Sequence, residues 1–479
     1  MLQYTIKRLL LIPPTFFFVS LVIFVVLNIA PGRPGAADAA QSGEQSNSAN
    51  QRESYRIFKE QFNLDKPILF NTRFGLEKSD VRRLIVNAHN LTGDVSPADR
   101  LEAQEDLDDF GNYMVRHLIV IADSDSDVLV QQLASMYLTQ AAQISFLRDR
   151  GGDDGGEVRI QNRAIGKENE AIKNWWWKAD ATVDEINQVK AKWADWWELK
   201  RERFEYTSGE KVGIFFFDTR FAKYWTNLAT LDFGVSTVDR RAVLPTIISK
   251  LKYSLSLTLV SVILAYLISV PIGIYSAVNQ NSTSDMVISV CLFLFYSLPT
   301  FFLGTVLLML FSEGEPFAWF PTGGFESADD IERTTLERIG DVAWHLTLPL
   351  IAYTIGSLAA LSRYARTGVI DVIRADYIRT ARAKGLHEFV VIVKHAVRNG
   401  MIPILTLLGG LLPAIIGGSV VIEVIFGIPG MGLYFFDAIN LRDYNAVMAT
   451  LVMGSLLTLL GILVSDLSYA AADPRISFD

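Results

Sequence analysis

The 479-residue chain has one cysteine, Cys291, and five histidines, His89, His117, His345, His387 and His395. One thiol cannot close an internal disulfide or complete a cysteine-based zinc site, which excludes a disulfide scaffold and a zinc finger. His387-Glu388 has no second histidine four residues on, so the helical H-E-x-x-H zinc arrangement is missing, and no metal ligand is assigned. Charge is scarce too, at 20% of residues, and a net charge of −8 argues against a nucleic acid partner, which calls for clustered Lys and Arg. The phosphate-cradling loop G-x-x-x-x-G-K-[ST] is absent, because Gly166-Lys167 runs into Glu168. Asp232-Phe233-Gly234 copies the kinase magnesium triplet, but no Gly-rich loop, strand lysine or H-R-D segment precedes it, and no G-x-S-x-G elbow occurs. The reading therefore assigns no catalytic residue and no cofactor site.

What the chain has instead is apolar length. Half of its residues are hydrophobic, and residues 30–253 hold 64 of its 96 Lys, Arg, Asp and Glu side chains. A bilayer core about 30 Å thick needs roughly 20 apolar helical residues. Six stretches meet that test, at about 9–29, 254–277, 286–311, 343–362, 401–426 and 446–470, and their only charged residues are Glu423 and Asp466, both near segment ends. The first stretch follows Lys7 and Arg8 and precedes Ala37-Asp38-Ala39, a pattern shared with secretory signals. Its run of 21 mostly apolar residues exceeds the ~7–15 of a signal core, so it reads as an anchor.

Orientation follows from the bias of Lys and Arg in short loops. Loop 363–400 carries Arg363, Arg366, Arg374, Arg379, Arg382, Lys384, Lys394 and Arg398 against three acids, whereas loop 312–342 carries eight acids against Arg333 and Arg338. The first is expected in the cytoplasm and the second outside. Alternation then puts both termini in the cytoplasm and the polar 30–253 region outside. Pro271 with Gly273, Pro299, Pro349, Pro403 and Pro413 interrupt four of the spans, and Gly409-Gly410 and Gly417-Gly418 bracket Pro413. Such residues permit kinks and close helix approach, which suits a bundle that changes shape. Glu423, just before Gly427-Ile428-Pro429-Gly430, is read either as a substrate contact or as a structurally paired carboxylate. Asp466 is expected to cap or pair.

The segment 376–403 reads D-Y-I-R-T-A-R-A-K-G-L-H-E-F-V-V-I-V-K-H-A-V-R-N-G-M-I-P. Residues 377–384 are good helix formers, and Gly385 can take the left-handed conformation that ends a helix. Small Ala381 and Ala383 beside that turn are expected to let another protein come close. This segment resembles the cytoplasmic coupling loop of permease subunits in binding-protein-dependent ABC importers, in the peptide and nickel (Dpp/Opp) branch. Tyr377, Thr380, Ala381, Ala383, Lys384, Gly385, His395, Arg398 and Asn399 match that branch. Arg379 stands where the general pattern has a glutamate, and Arg398 where it has a proline. Further blocks sit in the family's order, among them F-N-L-D-K-P at 62–67, L-D-F-G-V-S at 231–236, W-H-L-T-L-P at 344–349, V-I-E-V-I-F-G-I-P-G-M-G at 421–432 and R-D-Y at 442–444. The D-F-G, W-H-L-T-L-P and D-P-R-I-S-F blocks are most similar to Yej-type permeases, associated with peptides and microcin C.

The resemblance implies an all-α polytopic membrane protein with six spans in the type I ABC importer permease fold. It implies a bacterial inner-membrane location and a function as the permease subunit of an ATP-driven importer of peptides or peptide-like solutes. Partners would be a second homologous permease subunit, two ABC ATPase subunits carrying ATP and Mg, and an extracytoplasmic solute-binding protein. Energy would enter through Tyr377, Arg379, Thr380, Ala381, Arg382, Ala383, Lys384, Gly385, His395, Arg398 and Asn399. Pro299, Pro413, Gly417, Gly418, Glu423, Pro429 and Gly430 are candidates for the translocation path or outer gate. A membrane-anchored extracytoplasmic receptor is the alternative.

The expected division is an anchor at 1–30, a connector at 31–74, an insert at 75–222, a link at 223–253, a five-helix core at 254–470 and a tail at 471–479. The family usually separates the F-N-L-D-K-P and D-F-G-x-S blocks by a few tens of residues, so the insert is extra and large enough for a domain. It reads as mainly helical. Ser126 is expected to cap a helix carrying Leu129, Leu133, Met136, Tyr137 and Ile144, and Thr182 with Glu185 to box a second over 182–205. Six of the nine tryptophans lie in 175–197, where they could pack inside the insert, meet the outer leaflet, or touch a binding protein or cargo.

Overall fold

The structure is a computed structural model that describes residues 2–29, 59, 63–144, 146–147, 155–328, 333–400 and 420–472. It divides into two compact units, the first comprising Met1–Pro34 with Leu231–Asp479 and the second Gly35–Thr230. Both are helical, and among the described residues only isolated β-bridges occur.

The first unit contains α1 (Leu2–Ile29), α2 (Val243–Val278), α3 (Thr283–Ser297), α4 (Thr300–Phe311), α5 (Thr335–Ile373), α6 (Asp376–Ala383), α7 (Met431–Asn440) and α8 (Tyr444–Ala472). Helices α1, α2, α5 and α8 are each long and apolar enough to cross a membrane. The expected single span 286–311 is instead the pair α3 and α4, bent by 95°. Leu298, the residue before Pro299, is held extended as proline requires of its predecessor, and α4 restarts with Pro299 at its N-cap. Of the expected span 401–426, residues 401–419 lie outside the described residues, and the helical turns Val420–Ile425 are what the structure shows.

Helix α5 does not stop where its apolar run ends. It continues unbroken to Ile373 and at 39 residues is about 58 Å long, so its basic last turns project well past a 30 Å core. Helices α2 and α5 pack through small residues. Ser254, Thr258, Ser261, Ala265, Ser269, Gly273 and Ser276 recur every three or four positions on one buried face of α2. At Gly273 a Cβ would lie 2.4 Å from the Ala365 Cβ and 2.5 Å from the Ser362 carbonyl, so only hydrogen fits there. The Ser362 hydroxyl donates across the seam to the Ser269 carbonyl at 3.2 Å.

Two sequence blocks 207 residues apart also meet in this unit. The Ser236 hydroxyl and the Thr237 amide donate to the buried Asp443 carboxylate, and the Asn445 amide donates to the Val235 carbonyl at 2.9 Å. The D-F-G-V-S turn is thereby fastened to the start of the last span. Its role is structural, in a kinase-like spelling.

The second unit has a core of its own, built from Ile85, Met114, Leu118, Ile121, Leu138 and Ile172 with Trp177, Trp193 and Trp196. Its helices include Val128–Ala141 and Val183–Lys200. The first is capped by Asp127, not Ser126, and ends before Ile144, whose backbone is bonded on both sides by the Asn169 side chain. The second starts in the expected box, Thr182 accepting from the Glu185 amide and Glu185 from the Thr182 amide. Trp177, Trp193 and Trp196 are buried in this core, and Trp175 and Trp197 pack against it. Trp193 stacks edge-on against Trp175 and Trp196, and its indole N–H donates to the Trp175 carbonyl at 2.7 Å.

Candidate functional site

One residue, Ala375, separates the Arg374 cap of α5 from α6 and serves as its N-cap, and the chain reverses at Gly385, where φ is +76°. Any side chain at that φ would strain the backbone, so glycine sets the reversal. The His387 ring then accepts from the Phe389 amide and opens the return arm, which runs through Glu388–Val390, a π-helical turn Val391–Val397 and Arg398–Gly400. At its end a Cβ on Gly400 would lie 2.8 Å from the Gly368 carbonyl, so the arm comes back into backbone contact with α5. The loop is a closed hairpin built on the end of a span.

Its inner face is a small core. Ile378 and Ala381 of α6 are buried against Val391 and Ala396 of the return arm, with Val372 and Ile373 of α5 beside them. Burying the Ile378 side chain contributes about 1.5–3 kcal/mol. Across the Gly385 turn, Arg382 grips both carboxylate oxygens of Glu388, with its shortest contact at 2.7 Å. The Arg382 guanidinium holds the Glu388 carboxyl below the usual carboxylate range. This pair is solvent-facing, so it stabilises the turn by no more than about 1 kcal/mol.

The outer face of α6 is presented to solvent: Tyr377, Arg379, Thr380, Arg382, Ala383, Lys384 and Gly385 are exposed. Ala381 differs from expectation. It is buried, because at this register the helix turns it onto the return arm, and Ala383 alone offers a small exposed side chain. On the return arm Arg398 is exposed and His395 half-buried. Asn399 is in the helical turn, and its side chain lies outside the described residues.

The candidate gate residues divide. Pro413, Gly417 and Gly418 lie outside the described residues, and Pro299 is exposed at the α3–α4 bend. Glu423, Pro429 and Gly430 come together, and Glu423 is fully buried. One carboxylate oxygen accepts from the Gly432 and Leu433 amides at 2.6 and 3.0 Å, and the other accepts from the Ser254 hydroxyl at 2.8 Å. Ser254 in turn accepts from the Met431 amide. Glu423 thus satisfies the open N-terminus of α7, where unpaired amides and the helix dipole favour a negative charge. A Cβ on Gly430 would stand 2.4 Å from Glu423 Oε2, and on Gly432 2.8 Å, which explains glycine at both places in I-P-G-M-G. Its geometry is that of a structural anchor, the second of the two readings. Sequence reasoning missed Ser254 as its partner, and the recurring Ser, Thr, Ala and Gly of α2 was the available signal.

The site is therefore a basic hairpin, packed on itself and carried on the end of a long helix, within a helical protein that has several candidate spans. Residues 269–478 match the family described as binding-protein-dependent transport system inner membrane component. The chain is 40% identical over 260 residues to the oligopeptide transport system permease protein AppB of Bacillus subtilis, covering 54% of this chain and 80% of that protein. It is 38% identical to the peptidoglycan transport system permease protein YejB of Agrobacterium fabrum, covering 54% of this chain and 72% of that protein. A structure of the MetNI methionine ABC transporter overlaps 48% of this chain and 97% of that chain with TM-score 0.38 at 16% identity, a likeness too distant to argue from. The chain belongs to the inner-membrane permeases of binding-protein-dependent ABC importers, of the Dpp/Opp type with Yej-like relatives. It is thus a multi-pass inner-membrane protein, and a binding protein and ATPase subunits are its partners in general terms. The receptor alternative finds no support among these relatives.

Proposed function

We propose that this chain forms half of a peptide-conducting path and that helix α6 is the point at which an ATPase subunit drives it. Six spans in the type I arrangement, with both termini and the 363–400 hairpin in the cytoplasm, are the topology that the Lys and Arg bias supports. The second unit would then lie outside. A homologous second permease subunit would complete the path, two ATPase subunits would carry ATP and Mg, and a soluble binding protein would deliver cargo. Peptide as the cargo class rests on the names of the relatives, which include a dipeptide transport system permease protein, DppB of Bacillus subtilis.

The observation that carries the reading is the two-faced construction of α6. Ile378 and Ala381 fix it to its own hairpin, while Tyr377, Arg379, Thr380, Arg382, Ala383 and Lys384 face outward on the end of a continuous 39-residue helix. A force applied to that outer face passes into α5 across the short Arg374–Ala375 turn and through the packing of Ile378 and Ala381 with Val372 and Ile373. Nucleotide binding would then draw two such hairpins together and tilt the bundle.

The test is Gly385→Val, a β-branched residue at a φ it strongly disfavours, with nothing within 4 Å to obstruct it sterically. Peptide uptake is expected to fall, with weaker co-purification of the ATPase subunits while the permease remains in the membrane. Unchanged uptake and unchanged association would refute the assignment.

A further inference from the structure

On the same side of the bundle as the hairpin, the turn between α2 and α3 holds a buried carboxylate that the resemblance did not single out. Asp285 is 4% exposed. It accepts from the Arg366 Nε at 3.0 Å and Nη2 at 2.8 Å, from the Ser276 hydroxyl, and from the Asn281 amide at 3.0 Å. Ser282 caps the first turn of α3 by accepting from the Asp285 amide. About two helical turns beyond Arg366, Arg374 donates to the Gln280 side chain at 3.2 Å. The 276–285 turn is therefore held at two places to the length of α5 that leads directly into α6. A two-toothed guanidinium–carboxylate contact fixes orientation as well as distance, which a single apolar contact does not.

We propose that Asp285 and Arg366 are a positioning pair which makes the α2–α3 turn move as one body with the docking hairpin, so that displacement of α6 reaches α3 as well as α5. The proposal rests on the coupling assignment above. Without the pair, the Arg374–Gln280 bond and the packing of α2 on α5 at Gly273 would remain, and the start of α3 could slip against α5. Because α3 leads into the 95° bend at Leu298–Pro299, motion delivered to its first turn is motion delivered to a break in the span.

The test uses the complete transporter in nanodiscs, with Cys291→Ser as background and spin labels at Thr283→Cys and Val393→Cys, both exposed positions. The wild-type pair is expected to show one narrow distance that is the same without nucleotide and with bound ATP. In Asp285→Asn the distribution should broaden and the peptide imported per ATP hydrolysed should fall by about tenfold, with ATPase co-purification retained. Asp285→Glu should restore the narrow distance, and Arg366→Lys, which keeps charge and loses the fork, should lie between. A wild-type distance that shifts with nucleotide while docking persists would overturn the pair's role, as would an unchanged distribution and coupling ratio in Asp285→Asn. Should that variant fail to assemble, the wild-type distance and Arg366→Lys decide the matter. Absence of ATPase association in the wild type would count against the docking assignment instead.

Discussion

The α2–α5 seam and the core of the second unit are both well packed, yet they are made of opposite materials. Across the seam Ser261 meets Thr354, Ser269 meets Ser362, and Gly273 lies against Ala365. The second unit is filled by Ile85, Met114, Leu118, Ile121 and Leu138 around edge-on tryptophans. In water, burying large apolar side chains is itself the driving force, at roughly 25 cal/mol per Å². Between helices in lipid that term vanishes, since lipid tails are as apolar as leucine, and close backbone approach with interhelical hydrogen bonds takes its place. The contrast is the one expected between a helix seam formed in lipid and a core formed in water.

The comparison can be broken most forcefully at Trp193, whose replacement by alanine is expected to cost about 3–5 kcal/mol, confined to the second unit. Seven of the nine tryptophans lie in that unit, so intrinsic fluorescence during thermal unfolding reports on it selectively. A melting temperature unchanged from wild type would contradict a tryptophan-filled core. A smaller effect, with the opposite logic, is expected at Gly273→Leu. There a larger side chain should destabilise by about 1–3 kcal/mol and depress uptake, because its Cβ would already overlap Ala365. Improved stability in detergent would show that the seam is not held by close approach.

The smallest expected effect sharpens the electrostatic side. Burial pushes the Asp109 carboxyl up to about 6, against the opposing pull of Lys59 and Arg73. A carboxyl whose value is higher folded than unfolded favours the folded state once protonated. Its contribution therefore grows as pH falls through 6 and is lost above that value. The fluorescence-detected unfolding free energy of the second unit should rise by about 1 kcal/mol between pH 7.5 and 5 from this group. Asp109→Asn should flatten that segment of the profile, and an equal rise in the variant would assign it elsewhere.

Much of this was legible in the sequence, for physical reasons that differ by element. The end of α6 at Gly385 and the Thr182–Glu185 box are local, set by residues within one or two turns, and both stand where the residue types put them. The bend at Leu298–Pro299 was visible as a proline, but its size depends on what α3 and α4 pack against. Ala381 turned inward because the face of an eight-residue helix is chosen by the return arm, which sequence spacing does not reveal. Glu423 found its partners in Ser254 and in the amides of 432 and 433, and Asp285 its partner 81 residues away in Arg366. A carboxylate in a span announces a need for partners without naming them.

Cross-linking tests directly whether α6 is the surface that an ATPase subunit grips. In a Cys291→Ser background, Ala383→Cys should form a disulfide with cysteines placed along the facing groove of the ATPase subunit in native membranes, to an extent that changes when ATP is bound. Failure of every such pair to cross-link, together with labelling of the same cysteine by an impermeant reagent applied to the outer surface of intact cells, would contradict it.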